Sequence, residues 1–157
     1  MRKARAFPAL LLALVLHTGL LHSQQLTVQT ENGKQAVLTR AEIENLPRIK
    51  VTVEGTSFEG VELRAVVEKG GVPLGDTLRG KRMASCLLVE AADGYRVVIA
   101  LPEIDPAFSD KKFVLAFLKD GKPMDSKEGP YRIVIPNEKR MARWVRQVTG
   151  LKIVEVQ

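Results

Sequence analysis

A chain of 157 residues, 45% of them hydrophobic, has the size and apolar content for one domain with its own core. The 24 Lys and Arg outnumber the 18 Asp and Glu, for a formal charge of +6, yet aromatic residues make up only 5%. Nucleic-acid binders combine a basic face with stacking aromatics, so no nucleic-acid partner is expected.

The first residues read as a leader. Arg2, Lys3 and Arg5 precede the apolar run PALLLALVLHTGLL, and the polar HSQQ follows, which is the layout of a secretory signal peptide. Its apolar core is short for a membrane span, although an uncleaved anchor is the alternative. Cleavage after Ser23 makes residues 1–23 the signal peptide and 24–157 the mature domain. The mature protein is then periplasmic or secreted and keeps no stable membrane span. No Cys follows the apolar run, so no lipoprotein anchor is expected. Three of the basic residues and no acidic ones lie in the leader, which leaves 21 against 18, or +3.

Both histidines, His17 and His22, also leave with the leader. Without His and with one Cys, the mature chain cannot assemble a Ser-His-Asp or Cys-His constellation or a conventional zinc site. No catalytic residue and no metal ligand are assigned. Cys86 has no partner for an intrachain disulfide. It is either a small buried hydrophobe or an exposed thiol or ligand.

Along the mature chain, QLTVQT predicts a strand. TRAEIENLP predicts a short helix with Thr39 as N-cap, Glu42 completing a capping box and Pro47 ending it. RIKVTVEG alternates as a strand does, and VELRAVVEKGG places Val61, Leu63, Val66 and Val67 on one helical face before two glycines. After the loop GVPLGDTLRGK, SCLLVEAADGYRVVIAL gives two strands around Asp93-Gly94, a dipeptide suited to the positive φ angles of a tight hairpin turn. LPEIDPAF predicts a helical turn, KFVLAFL a strand, KDGKPM a turn and YRIVIP a strand. NEKRMARWVRQV predicts a helix capped by Asn137, with Met141, Trp144, Val145 and Val148 inward and a basic outer face of Lys139, Arg140, Arg143 and Arg146. LKIVEV closes the chain as a strand. Interleaved strands and short helices with hairpins define an α+β, or mixed α/β, fold with a mixed sheet. Asp93, Glu103 and Asp105 cluster in sequence, and turn and capping chemistry accounts for them.

In that order, AADGYRVVIALPEID, VLAFLKDGKPM, GPYRIVIP and ARWVRQVTGLKI resemble the molybdopterin-binding domain of the sulfite oxidase family. The family pattern runs from a DGY turn through a strand ending in an NG or DG turn and an HG.P.R segment before a V.P strand, to a KW helix. SFEGVEL resembles its f.GvpL element, so the similarity is strongest over residues 50–156. It implies a fold that cradles a molybdenum pterin and an oxidoreductase activity of the oxygen-atom-transfer kind. Carried over by position, Tyr95 lies in the DGY turn, Arg132 matches the Arg of HG.P.R, and Arg143 stands where Lys often precedes Trp. These three are the candidate cofactor-binding residues, or the remnant of an anion site, with solvated surface charge as the alternative for the two arginines.

The departures run one way. The family's molybdenum thiolate falls in the stretch matching IKVTVEGTS, which has no Cys, and Glu128 replaces the His of HG.P.R. The resemblance also implies that cofactor-loaded members are exported folded by a twin-arginine route, whereas MRKARAF has no such motif. The expectation is therefore a cofactor-free binding or accessory module, with a small anionic ligand or a protein as partner. A molybdopterin-dependent oxidoreductase with atypical ligation and an unrelated mixed α/β domain are the alternatives.

Overall fold

The computed structural model describes residues 24–155; the leader expected over residues 1–23 lies outside them. In chain order the elements are β1 (Leu26–Gln29), β2 (Gln35–Leu38), α1 (Arg40–Glu44), β3 (Arg48–Val53), β4 (Thr56–Glu62), α2 (Leu63–Lys69), β5 (Ser85–Ala91), β6 (Arg96–Ala100), β7 (Val114–Lys119), β8 (Lys122–Pro123), β9 (Arg132–Val134) and β10 (Val148–Glu155). One sheet runs β2-β1-β10-β5-β6; the other runs β3-β4-β7-β8, with β9 also on β7. The β1–β10 pair is parallel and the remaining pairs are antiparallel. Among the described residues this is one α+β domain, as the sequence predicts.

Strand periodicity builds the core. In the first sheet Val28, Leu151, Val89, Leu87, Ile153 and Ile99 meet across β1, β10, β5 and β6, and all are buried. In the second, Val61, Leu115 and Ile133 stand opposite one another and are fully buried. Side chains of this size contribute about 1.5–3 kcal/mol each on burial. Gly60 allows β4 to approach β7 closely, because a Cβ there would lie 2.1 Å from the Leu115 carbonyl oxygen.

The expected capping box on α1 is present. Thr39 Oγ1 accepts from the Glu42 amide at 3.3 Å, and Glu42 Oε2 accepts from the Thr39 amide at 2.8 Å. Leu63, Val66 and Val67 face inward from α2, whereas Val61 belongs to β4. At KDGKPM, Asp120 (φ 49°) and Gly121 (φ 74°) close a two-residue hairpin. At DGY only Gly94 has positive φ (85°). The amide of Gly94 donates to the Ala91 carbonyl and that of Ala91 to the Tyr95 carbonyl. The loop is thus a three-residue turn with glycine in the bulge position rather than the two-residue turn expected.

The helix expected over 137–148 is not formed. Asn137 has φ 62° and is no N-cap, and only Met141–Arg143 wind into a single 3-10 turn. Backbone pairing competes with the helix: the Ile133 amide donates to the Val145 carbonyl and the Val148 amide to the Tyr131 carbonyl, which lays 145–148 alongside the β9 segment. Trp144, Val145 and Val148 are buried as expected, but Met141 is 45% exposed, so the expected inward stripe is broken.

Candidate functional site

The DGY turn and the 3-10 turn meet at one end of the domain. Asp93 Oδ1 accepts from the Tyr95 amide at 2.9 Å, and this fixes the bulge from which the Tyr95 side chain projects. The Tyr95 hydroxyl then donates to the Ala142 carbonyl at 2.7 Å. Between the two turns lies a cleft of about 330 Å³ lined by Asp93, Tyr95, Arg132, Met141, Ala142, Trp144 and Arg146.

Arg132 forms the inner wall. Its guanidinium lies 5.7 Å from the Phe58 ring centre and 5.5 Å from that of Trp144, and the two rings meet edge to face. Trp144 is itself held by an indole N–H donated to the Ile135 carbonyl. Arg132 Nη1 contacts Glu128 Oε1 at 2.5 Å, and Lys119 Nζ contacts Glu128 Oε2 at 3.0 Å. Nε of Arg132 is buried with no hydrogen-bond partner. Burial pulls the Arg132 pKa down, Glu128 pushes it back up, and the charge of Arg146 lowers it again. A guanidinium remains protonated under these influences, so the cleft holds two like charges, with Glu128 paired to Arg132 and the Asp93 carboxylate also on its wall.

Arg143 does not join them. It leaves the same 3-10 turn on the other side, over the Phe113 ring at 5.9 Å. There its Nε donates to Glu138 Oε1 at 3.0 Å, Nη2 contacts the same oxygen, and Nη1 reaches Glu103 at 3.4 Å. The Glu138 hydrogen bonds raise its pKa above the ordinary value, against the effect of burial and with Glu103 adding to the rise. The three residues singled out by sequence therefore separate into Tyr95 with Arg132 in one cleft and Arg143 outside it. Arg146, expected on a helix face, lines that cleft instead. The ring of Phe58 and the carboxylate of Glu128 complete the surroundings of Arg132. Phe58 was not legible as a partner, because it comes from the remote β4, whereas Glu128 lies four residues before Arg132 in the segment already singled out.

The clustered carboxylates have structural roles. Asp105 is 1% exposed and accepts from the Gly75 and Ala107 amides at 2.6 and 2.9 Å. Burial raises its carboxyl pKa, and those two amides together with Arg64 more than reverse this, leaving it below the ordinary value. Glu103 binds Lys111 and Arg143. Burial pushes its pKa up, and these two cations bring it below the ordinary value.

Two sheets with interleaved short helices, and a cationic cleft between the DGY and 3-10 turns, define a sulfite oxidase-type α+β domain. Residues 18–157 match the model of the oxidoreductase molybdopterin binding domain, and the chain belongs to that family. No curated protein matches it. Among solved structures it is similar to the sulfane dehydrogenase SoxCD from Paracoccus pantotrophus, with 19% identity, a TM-score of 0.62, 82% of this chain covered and 37% of that one. At that identity the likeness is one of fold, and the chain spans little more than a third of the larger protein.

The residues of this chain do not fit a thiolate-held molybdenum pterin. The stretch 49–57 forms the β3–β4 hairpin, turned at Glu54 and Gly55, and carries no sulfur. Cys86 is buried on β5 in the other sheet, and its thiol donates to the Val154 carbonyl at 3.5 Å. Among the described residues no three His, Cys, Asp or Glu side chains are placed to hold a metal ion. By the resemblance Glu128 stands at the family's His position, where it pairs with Arg132 and Lys119, so an incoming pterin phosphate would face a carboxylate beside Arg132.

Proposed function

We propose that the mature chain is an exported binding or accessory module on a sulfite oxidase-type domain. It works without the molybdenum cofactor, in the periplasm or outside the cell, and holds a small oxyanion or phosphorylated ligand in the Tyr95–Arg132–Arg146 cleft. The observation that carries this reading is the charge lining the cleft, where the guanidinium groups of Arg132 and Arg146 face one carboxylate, that of Asp93, and Arg146 has no ion-pair partner among the described residues. Guanidinium groups suit planar, charge-assisted contacts to phosphate- and sulfate-like oxygens, and the Tyr95 ring supplies a wall. Family membership favours a second reading, a molybdopterin-dependent oxidoreductase with atypical ligation.

The test combines elemental analysis of protein made in its native host with sulfate and phosphate titration of wild type and Arg146→Ala. No molybdenum and a weakened titration in the variant support the module. Stoichiometric molybdenum would establish the second reading, and indistinguishable titrations would remove the anion site. Export is checked by the N-terminus of secreted protein, expected at Gln24 or a near neighbour. Full-length chain in the membrane fraction would reject it.

A further inference from the structure

A larger cleft lies on the opposite side of the 3-10 turn. It measures about 810 Å³ and is walled by Asp110, Lys111 and Lys112 on one side and by Ile135 through Arg140, with Arg143, on the other. That volume falls within the roughly 300–1,000 Å³ of small-molecule sites. Ile135 and Pro136 give it an apolar wall, and the aliphatic stems of the lysines extend that wall.

Its charges are unevenly satisfied. Lys111 is held by Glu103 at 3.2 Å, Lys112 by Glu62 at 3.0 Å, and Arg143 by Glu138 and Glu103. Lys139 and Arg140 are exposed and have no carboxylate within ion-pair distance among the described residues. They are consecutive on a segment that enters through Asn137 in the left-handed region. On the same wall, Glu138 gives one oxygen to Arg143 while its Oε2 is buried with no partner. That oxygen has no accessible surface and is closed to a ligand, whereas the exposed Asp110 sets one carboxylate on the facing wall.

We infer that this cleft is a second ligand site, for a small organic phosphate with an apolar body. Phosphate lies against Lys139 and Arg140, and the body against Ile135 and Pro136. This site is independent of the Tyr95–Arg132–Arg146 cleft and does not rest on the function proposed for it.

Calorimetric titration of the mature protein with O-phospho-L-tyrosine, phenyl phosphate and inorganic phosphate tests the inference. O-phospho-L-tyrosine and phenyl phosphate, which join a phosphate to an apolar body, bind more tightly than inorganic phosphate. The Lys139→Ala/Arg140→Ala variant loses roughly tenfold or more in affinity, since it lacks two charge-assisted contacts. Both side chains are exposed, so the variant's melting temperature stays at the wild-type value. The titrations are repeated in Arg146→Ala, in which the Tyr95–Arg132–Arg146 cleft no longer contributes, and binding of O-phospho-L-tyrosine persists there. The inference is overturned by absence of binding, by equal affinity for O-phospho-L-tyrosine and inorganic phosphate, by unchanged affinity in the double variant, or by loss of binding in Arg146→Ala. Binding of a poly-glutamate peptide without binding of either organic phosphate also overturns it.

Discussion

Replacing Glu128 with Gln is the most informative single perturbation of this domain. The carboxylate bridges Arg132 and Lys119 at 2.5 and 3.0 Å, with side-chain exposures of 20% for Glu128, 12% for Arg132 and 39% for Lys119. Gln keeps the volume and one acceptor but removes the charge, which leaves a mostly buried guanidinium between Phe58 and Trp144 without its counterion. Breaking a fully buried pair costs about 3–5 kcal/mol, and an exposed pair is worth about 0–1 kcal/mol. Arg132 lies nearer the buried limit and Lys119 nearer the exposed one, so the expected cost is about 2 kcal/mol. For a domain of this size that lowers Tm by roughly 5–8 °C. The same change frees Arg132 and Lys119 to take an external anion, so added sulfate recovers part of the lost Tm by preferential binding to the folded state. Thermal unfolding of both proteins across a sulfate series measures the two effects together. A variant Tm within about 1 °C of wild type, or the same sulfate dependence in both proteins, would refute the role given to Glu128.

Three further perturbations probe other parts of the fold. Asp105→Asn weakens the anchor on the Gly75 and Ala107 amides by about 2 kcal/mol. Because the folded pKa of Asp105 is depressed, its contribution is present above the unfolded carboxyl pKa and is lost as pH falls through the folded one. Wild type therefore loses stability in that acid window more steeply than the variant, and parallel acid-unfolding curves would contradict this. Tyr131 is fully buried and burial pushes its phenol up to about 12, so the stability it contributes is complete below the unfolded pKa near 10 and is lost as pH rises through the folded value. In a spectrophotometric alkaline titration, Tyr131→Phe deletes an ionisation near pH 12; deletion of one near 10 would show an accessible phenol. Cys86→Ala costs about 1 kcal/mol through lost packing, and the native thiol reacts slowly with an aqueous disulfide reagent. Rapid labelling would exclude the burial on β5.

Local chemistry made much of the fold legible from the sequence. The capping box of Thr39 and Glu42, the glycines ending α2, the Asp120-Gly121 turn, the alternation of β3 and the apolar runs of β5, β6 and β7 act over a few residues, and the ordered DGY, DG and GP.R segments were sufficient to suggest the family. Strand β2 was missed because its four residues, at a sheet edge, alternate in burial but not in polarity, Val37 being exposed and Leu38 buried. The segment 137–148 was misread for a different reason. Its helical spacing of Trp144, Val145 and Val148 is real, but the backbone of 145–148 is bonded to Tyr131 and Ile133, and long-range pairing overrides local periodicity.

The site divides along the same line. Sequence determined that residues 24–157 hold no histidine and that the 49–57 stretch holds no cysteine, and resemblance grouped Tyr95, Arg132 and Arg143. Tertiary structure alone decided that Arg143 turns away to Glu138 and Glu103, that Arg146 takes its place in the cleft, and that Lys139 and Arg140 edge a larger one. Which charges find partners depends on where non-adjacent strands and loops meet. Residue identity sets the inventory of donors and acceptors, and the fold sets which of them remain unmatched.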